Sequence, residues 1–258
     1  MINQELFEKI KDKYGYVASW AIWDEAGEKP KSNINNMDIF ESKSYKEILP
    51  KLNVNVVMVG LNFSRDIKFE KPFMNFHDSN PHANDFKIRY AFKDTPLYGA
   101  YMTDIIKNLA MVSSKDVLKY LKQNPQIIEE NINYFRDELR FIQSNKPIII
   151  AFGSDTFDIL QKYLKLNEYS HLVKVTHYSH QISKENYQKE VYSQLQTSMG
   201  FILSLTEFLL SAEDQIQKYI SIITKLDKVT GLEEKAALVK TMNITNIFYE
   251  LLKKLEDT

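Results

Sequence analysis

The sequence predicts an α/β fold: three layers, a mainly parallel central sheet flanked by helices, and a C-terminal helical extension. Three observations carry this. Two apolar runs, "VNVVMVG" at 54–60 and "KPIIIAFG" at 146–153, each end on glycine. A third strand-like run, "LVKVTHYS", follows at 172–179. Helix-period segments separate the runs and are long enough to act as crossovers in a parallel sheet.

The elements follow in order. Residues 3–13 read as a short helix with Leu6, Phe7 and Ile10 on one face. "YGYVASWAIWDE" carries Trp20 and Trp23, both expected in the core, and "EAGEKPKSNINN" is a loop by composition. "SYKEILPKLN" predicts a helical turn ending near Pro50. Val54 to Val59 is the first strand, broken by Gly60. Residues 62–96 show no period, and so long an irregular stretch marks a functional segment or a missed element. "GAYMTDIIKNL" is open between strand and helix. Residues 114–143 predict two helices divided near Pro125, the second with Ile128, Ile132, Phe135, Leu139 and Ile142 as its apolar stripe. After the strand ending at Gly153, Ser154 is the expected cap of a helix with Asp155 in its first turn. Helices are expected over 184–199, 201–225 and 232–256. The organisation is therefore a 1–198 α/β domain and a 199–258 helical hairpin. The hairpin's leucine and isoleucine stripes suit intramolecular packing, self-association or a grip on DNA.

Composition narrows the function. Of 258 residues, 33 are basic and 34 acidic, a net charge of −1, so any contact with nucleic acid must come from a local patch. With no cysteine there are no disulfides, thiolate metal sites or cysteine-ligated clusters, and a cytoplasmic setting is expected. No apolar run reaches the roughly 18 residues of a membrane span, and "MINQELFEKIKDK" lacks the order of a signal peptide. His77, Asp78, His82 and Asp85 lie close in sequence but match no metal-ligand spacing, so neither a metal nor a cofactor is expected.

In open α/β sheets ligands bind beyond the carboxyl ends of the strands. Three polar clusters fall there: Asn62 with Ser64 and Arg65, then Asp104, then His177 with Ser179 and His180. "GLNFS" after a strand, "YMTDIIK", "IIIAFG" and "HYS" after a late strand, in that order over about residues 50–190, resemble the motifs of the uracil-DNA glycosylase superfamily. The resemblance implies that Asn62 holds the attacking water, Asp104 faces the base, His177 faces a base carbonyl, and Ser179 touches a phosphate. It also implies an aromatic stacked on the base, for which Phe73, Phe76 and Phe86 are the candidates, and a wedge at Gln181 or Ile182. Phe63 and Tyr178 stand where the family has prolines, and Asp104 where it has asparagine. An ionised carboxylate accepts but cannot donate, so opposite a uracil carbonyl it leaves acceptors unpaired at about 1–3 kcal/mol. An amino-bearing or modified base, or a deaminated purine, is therefore expected over uracil.

The chemistry fits the residue types. Cleaving an N-glycosidic bond passes through an oxocarbenium-like state, which needs a placed water, stabilisation of the leaving base and extraction of the base from its stack. Phe76, His77 and Asp78 are expected to line the base pocket. Ser64, Arg65, Ser179, His180, Lys87 and Arg89 are expected on the DNA backbone, where contacts anchor without reading sequence. The expected activity is a monofunctional DNA glycosylase, in repair or in defence against modified foreign DNA. Two alternatives remain: a nucleoside or nucleotide hydrolase in the same crevice, and a non-catalytic module that binds DNA or protein.

Overall fold

The computed structural model of the 258-residue chain describes residues 2–62, 69–93, 95–107, 109, 111 and 113–198. The chain divides into two units, Met1–Ser198 and Met199–Thr258, and the predicted hairpin lies outside the described residues.

The first unit is an α/β fold. Its sheet has five strands: β1 (Ala18–Trp20), β2 (Asn53–Asn62), β3 (Ala100–Ile106), β4 (Ile148–Phe152) and β5 (His171–Val175). Their spatial order is β1-β3-β2-β4-β5. The pairs β2–β3, β2–β4 and β4–β5 are parallel, and β1 closes the β3 edge antiparallel. Flanking helices are α1 (Gln4–Tyr14), α2 (Tyr45–Ile48), α3 (Asp85–Phe92), α4 (Ser114–Gln123), α5 (Pro125–Phe141) and α6 (Ser154–Tyr163), with α7 over 184–198. Among the described residues no helix is long and apolar enough to cross a membrane.

Strand order places the crevice. From β2 the chain first fills the position on one side, as β3, and then the position on the other, as β4. The connection leaving β2 runs to one side, to β3, and the one leaving β4 runs to the other, to β5, so the gap between the carboxyl ends of β2 and β4 is where ligands of open α/β sheets bind. The strand core is fully apolar: Val57, Met58, Val59, Ile149, Ile150 and Ala151 are all 0% exposed. Each large side chain so buried contributes about 1.5–3 kcal/mol.

Four expectations change. The ambiguous "AYMTDII" is strand β3. Strand β2 does not stop at Gly60 but runs on to Asn62. Gly153, at φ +87°, takes the cap position of α6, and Ser154 is its first helical residue. Helix α3 lies inside the stretch that showed no period. Asp85, Lys87 and Arg89 are buried beside Ile88, Ala91 and Phe92, so polar residues share the inner face and erase the pattern. The predicted break at Pro125 is observed, with proline at the start of α5.

Candidate functional site

The β2–β3 register sets Gly60 beside Asp104. The Asp104 carboxylate lies over the glycine: a Cβ on Gly60 would overlap Asp104 Oδ1 and come within 3.4 Å of the Phe76 ring. Asp104 Oδ2 accepts a hydrogen bond from Asn75 Nδ2 at 2.9 Å. The same amide nitrogen donates to Val17 O at 3.2 Å, and Asn75 Oδ1 accepts from the Phe76 N–H at 3.1 Å. Phe73 and Phe76 of this loop both have positive φ, 66° and 63°, an arrangement bulky residues seldom adopt. Burial is the main reason the Asp104 carboxyl is raised to about 6. Asn75 and Lys107 oppose the shift, and Glu138 adds to it. Such a carboxyl exchanges its proton near neutral pH, where an acid–base group works best.

On the other side of the crevice stands His177, two residues beyond β5. The Ser179 N–H donates to His177 Nδ1 at 3.1 Å, and Ser179 Oγ lies 2.8 Å from the same nitrogen. With Nδ1 accepting, the proton of the neutral ring sits on Nε2. Burial lowers its pKa to about 4, so the ring is neutral at pH 7. The neutral ring carries its proton, and so its donor, on Nε2. The ring stacks on Tyr178, with centroids 4.4 Å apart, and Tyr178 meets Phe152 at 5.4 Å and Phe76 at 6.3 Å. Tyr178 thus links the two sides. A cleft of about 520 Å³ opens beside His177, lined by Gly153, Ser154, Lys174, Ser179, His180 and Gln194 among others. Asp104 and Asn62 do not line it. The predicted constellation is brought to one end of the sheet in two groups.

The remaining predicted residues are placed as follows. Asn62 donates through Nδ2 to Leu109 O at 3.1 Å and Met111 O at 2.9 Å. Both amide hydrogens therefore hold the loop after β3. Phe76 is buried beside Asp104 and does not line the cleft next to His177. Ser64 and Arg65 lie outside the described residues.

Four assignments are corrected. His77 is a core histidine, 1% exposed, with Ser19 Oγ, Asn75 O and Ile22 O around its ring nitrogens; desolvation lowers its pKa to about 4. Asp78 closes a turn by accepting from the Asn80 N–H, and its own N–H donates to Asp85 Oδ2. Lys87 is buried and donates to His180 O at 2.7 Å. Arg89 is buried and donates to the carbonyls of Asp24, Pro30 and Ser32, fastening the 24–32 loop. Neither cation presents its charge to a phosphate. Among the stacking candidates, Phe73 is fully buried in the core and Phe86 lies under Lys31. Among the described residues no group of three or more His, Asp or Glu could hold a metal ion.

Sequence reasoning missed Asn75, Glu138 and the partner of Lys107. Lys107 does not pair with the Asp104 carboxylate; it pairs with Glu138, at 2.8 Å. The available signal was Glu138 itself, a charge between Phe135 and Leu139 on the apolar stripe of α5.

A family model described as a protein of unknown function (DUF2972) matches residues 101–154. The matched stretch runs from β3 to the start of α6 and contains Asp104, Lys107, Glu138 and Gly153. No curated protein and no solved structure matches the chain.

Proposed function

We propose that the chain is a monofunctional DNA glycosylase that releases a modified or damaged base by hydrolysis, with Asp104 handling the attacking water. The observation that carries this is Asp104 itself, buried on Gly60 beside Phe76, with its carboxyl raised to about 6. Above that pH the carboxylate takes a proton from water as the oxygen attacks the anomeric carbon. The base leaves with the bonding electrons, held by the Nε2–H of neutral His177, and is protonated from solvent. Ser179, His180 and Lys174 line the cleft suited to the backbone. Asn62, whose two amide hydrogens are engaged, serves as a loop anchor. DNA is the partner, and the cysteine-free chain suits the cytoplasm.

The test is a panel of oligonucleotides carrying different bases, assayed for alkali-labile sites. Wild type is expected to release one class, with an acid limb near pH 6. Asp104→Asn is expected to lose about 10²–10⁴-fold, and Asn62→Ala to keep its turnover. Unchanged turnover in Asp104→Asn would remove the assigned base. One observation favours a second reading: Lys87 and Arg89 are withdrawn from the surface, which leaves fewer contacts for a DNA backbone. Hydrolysis of nucleosides with none of oligonucleotides would establish a nucleoside hydrolase instead.

A further inference from the structure

Behind Asp104, on the opposite face of β3, lies a buried ionic network. Side chains alternate along a strand, so Tyr101 and Thr103 face α5 while Asp104 faces away. Glu138 of α5 is fully buried, and its Oε1 accepts from Tyr101 OH at 2.8 Å and Thr103 Oγ1 at 3.0 Å. Its Oε2 stands 2.8 Å from Lys107 Nζ. The lysine ammonium has two further partners: Thr103 Oγ1 and the backbone carbonyl of Asp104, each at 2.6 Å. The Lys107 N–H donates to Asn131 Oδ1 at 3.0 Å, which fixes the start of the side chain as well. The ammonium donates two hydrogen bonds, to Thr103 Oγ1 and the Asp104 carbonyl, and Glu138 Oε2 neutralises it as an ion pair without hydrogen-bond geometry. The charge is thus pinned against the peptide of Asp104.

We propose that Lys107 and Glu138 are a positioning pair for Asp104, holding its peptide from across the sheet and acting on its carboxyl with opposite charges. Its use in catalysis rests on the glycosylase reading, whereas its existence does not. A purely structural ion pair need not touch the residue whose side chain enters the site; here Lys107 donates to that residue's own carbonyl. Among the described residues, the groups in contact with the carboxylate are uncharged: Gly60 of β2, the Asn75 amide and the Phe76 ring. Among the described residues, Lys107 favours the ionised carboxyl and Glu138 opposes it.

The experiment is an NMR titration of the Asp104 carboxyl in the full chain, with the resonance assigned by its loss in Asp104→Asn. The midpoint is expected to fall in Glu138→Gln and to rise in Lys107→Met. The double variant is expected between the two. Lys107→Met leaves Glu138 buried without its cation and stands to lose the fold. In that event the double variant decides, and its midpoint must lie above that of Glu138→Gln. Coincident midpoints in the folded proteins, or shifts of one sign, overturn the proposal. Because the readout is a titration, its failure leaves the glycosylase reading intact, and absence of excision leaves the pair intact.

Discussion

At Gly153 the chain turns, and at Gly60 it runs on. Both glycines close a buried apolar run, Gly153 just after β4 and Gly60 two residues before the end of β2. Gly153 has φ +87° and ψ 167°, a conformation essentially restricted to glycine, and caps α6 beside an open cleft. Gly60 sits inside β2, paired with Asp104, and its missing side chain leaves the space a carboxylate fills. One glycine shapes the backbone, and the other shapes the room above it. Two identical sequence signs thus have two causes, and the two halves of the crevice they build differ in charge logic. Asp104 is raised and titrates near neutrality; His177 is lowered and stays neutral.

The largest expected effect comes from breaking the β2 side. Gly60→Ala places a methyl where Asp104 Oδ1 lies, so a loss of about 100-fold in turnover and about 3 kcal/mol in stability is expected, from excision kinetics and denaturant unfolding. Adding Asp104→Ala should restore stability but not activity. If the two costs simply add, the glycine is not there for the carboxylate.

Next comes the sign of the pH dependence. Asp104 has a folded pKa above its ordinary value, so its stabilisation is complete below about 4 and is lost as pH rises through about 6. Asp104→Asn removes that loss and should raise stability above pH 6 by up to about 3 kcal/mol, with little gain at pH 4. Calorimetry at the two pH values checks this, and an equal change at both would refute it.

The β4 side should respond more mildly. Gly153→Ala must hold alanine at positive φ against the His177 ring, costing about 2 kcal/mol, read from the denaturant midpoint. The smallest effect belongs to His177. Its lowered pKa means stability present above about 6.5 and lost as pH falls through about 4. The half-buried ring limits this to about 1 kcal/mol. His177→Gln should flatten the acid slope by that amount, and an unchanged slope would place the whole of it elsewhere, with His77 the leading source.

The site was partly legible. His177 and Ser179 could be chosen because they follow a strand end, which shows in the sequence as an apolar run that stops; Asp104 lies inside β3, a segment open between strand and helix by sequence, and is singled out through the resemblance of "YMTDIIK". The His177–Ser179 contact is local, two residues apart, so a short motif carries it. Lys87 and Arg89 misled because surface exposure is the ordinary condition of a cation. Their burial depends on carbonyls of distant loops; for Arg89 and Asp24 the separation is 65 residues.

By itself the sequence determined the α/β class, the strands β2, β4 and β5, and helices α1, α4, α5 and α6. Periodicity reports which side of a segment is apolar, and neighbours along the chain are enough to show it. Only the tertiary structure decided what Gly60 is for, that Asn75 holds Asp104 from 29 positions away, and that Lys107 answers to Glu138. Those are matters of desolvation and of charges brought together across the sheet. A side chain's charge state is set by what surrounds it in space, and periodicity carries no record of that.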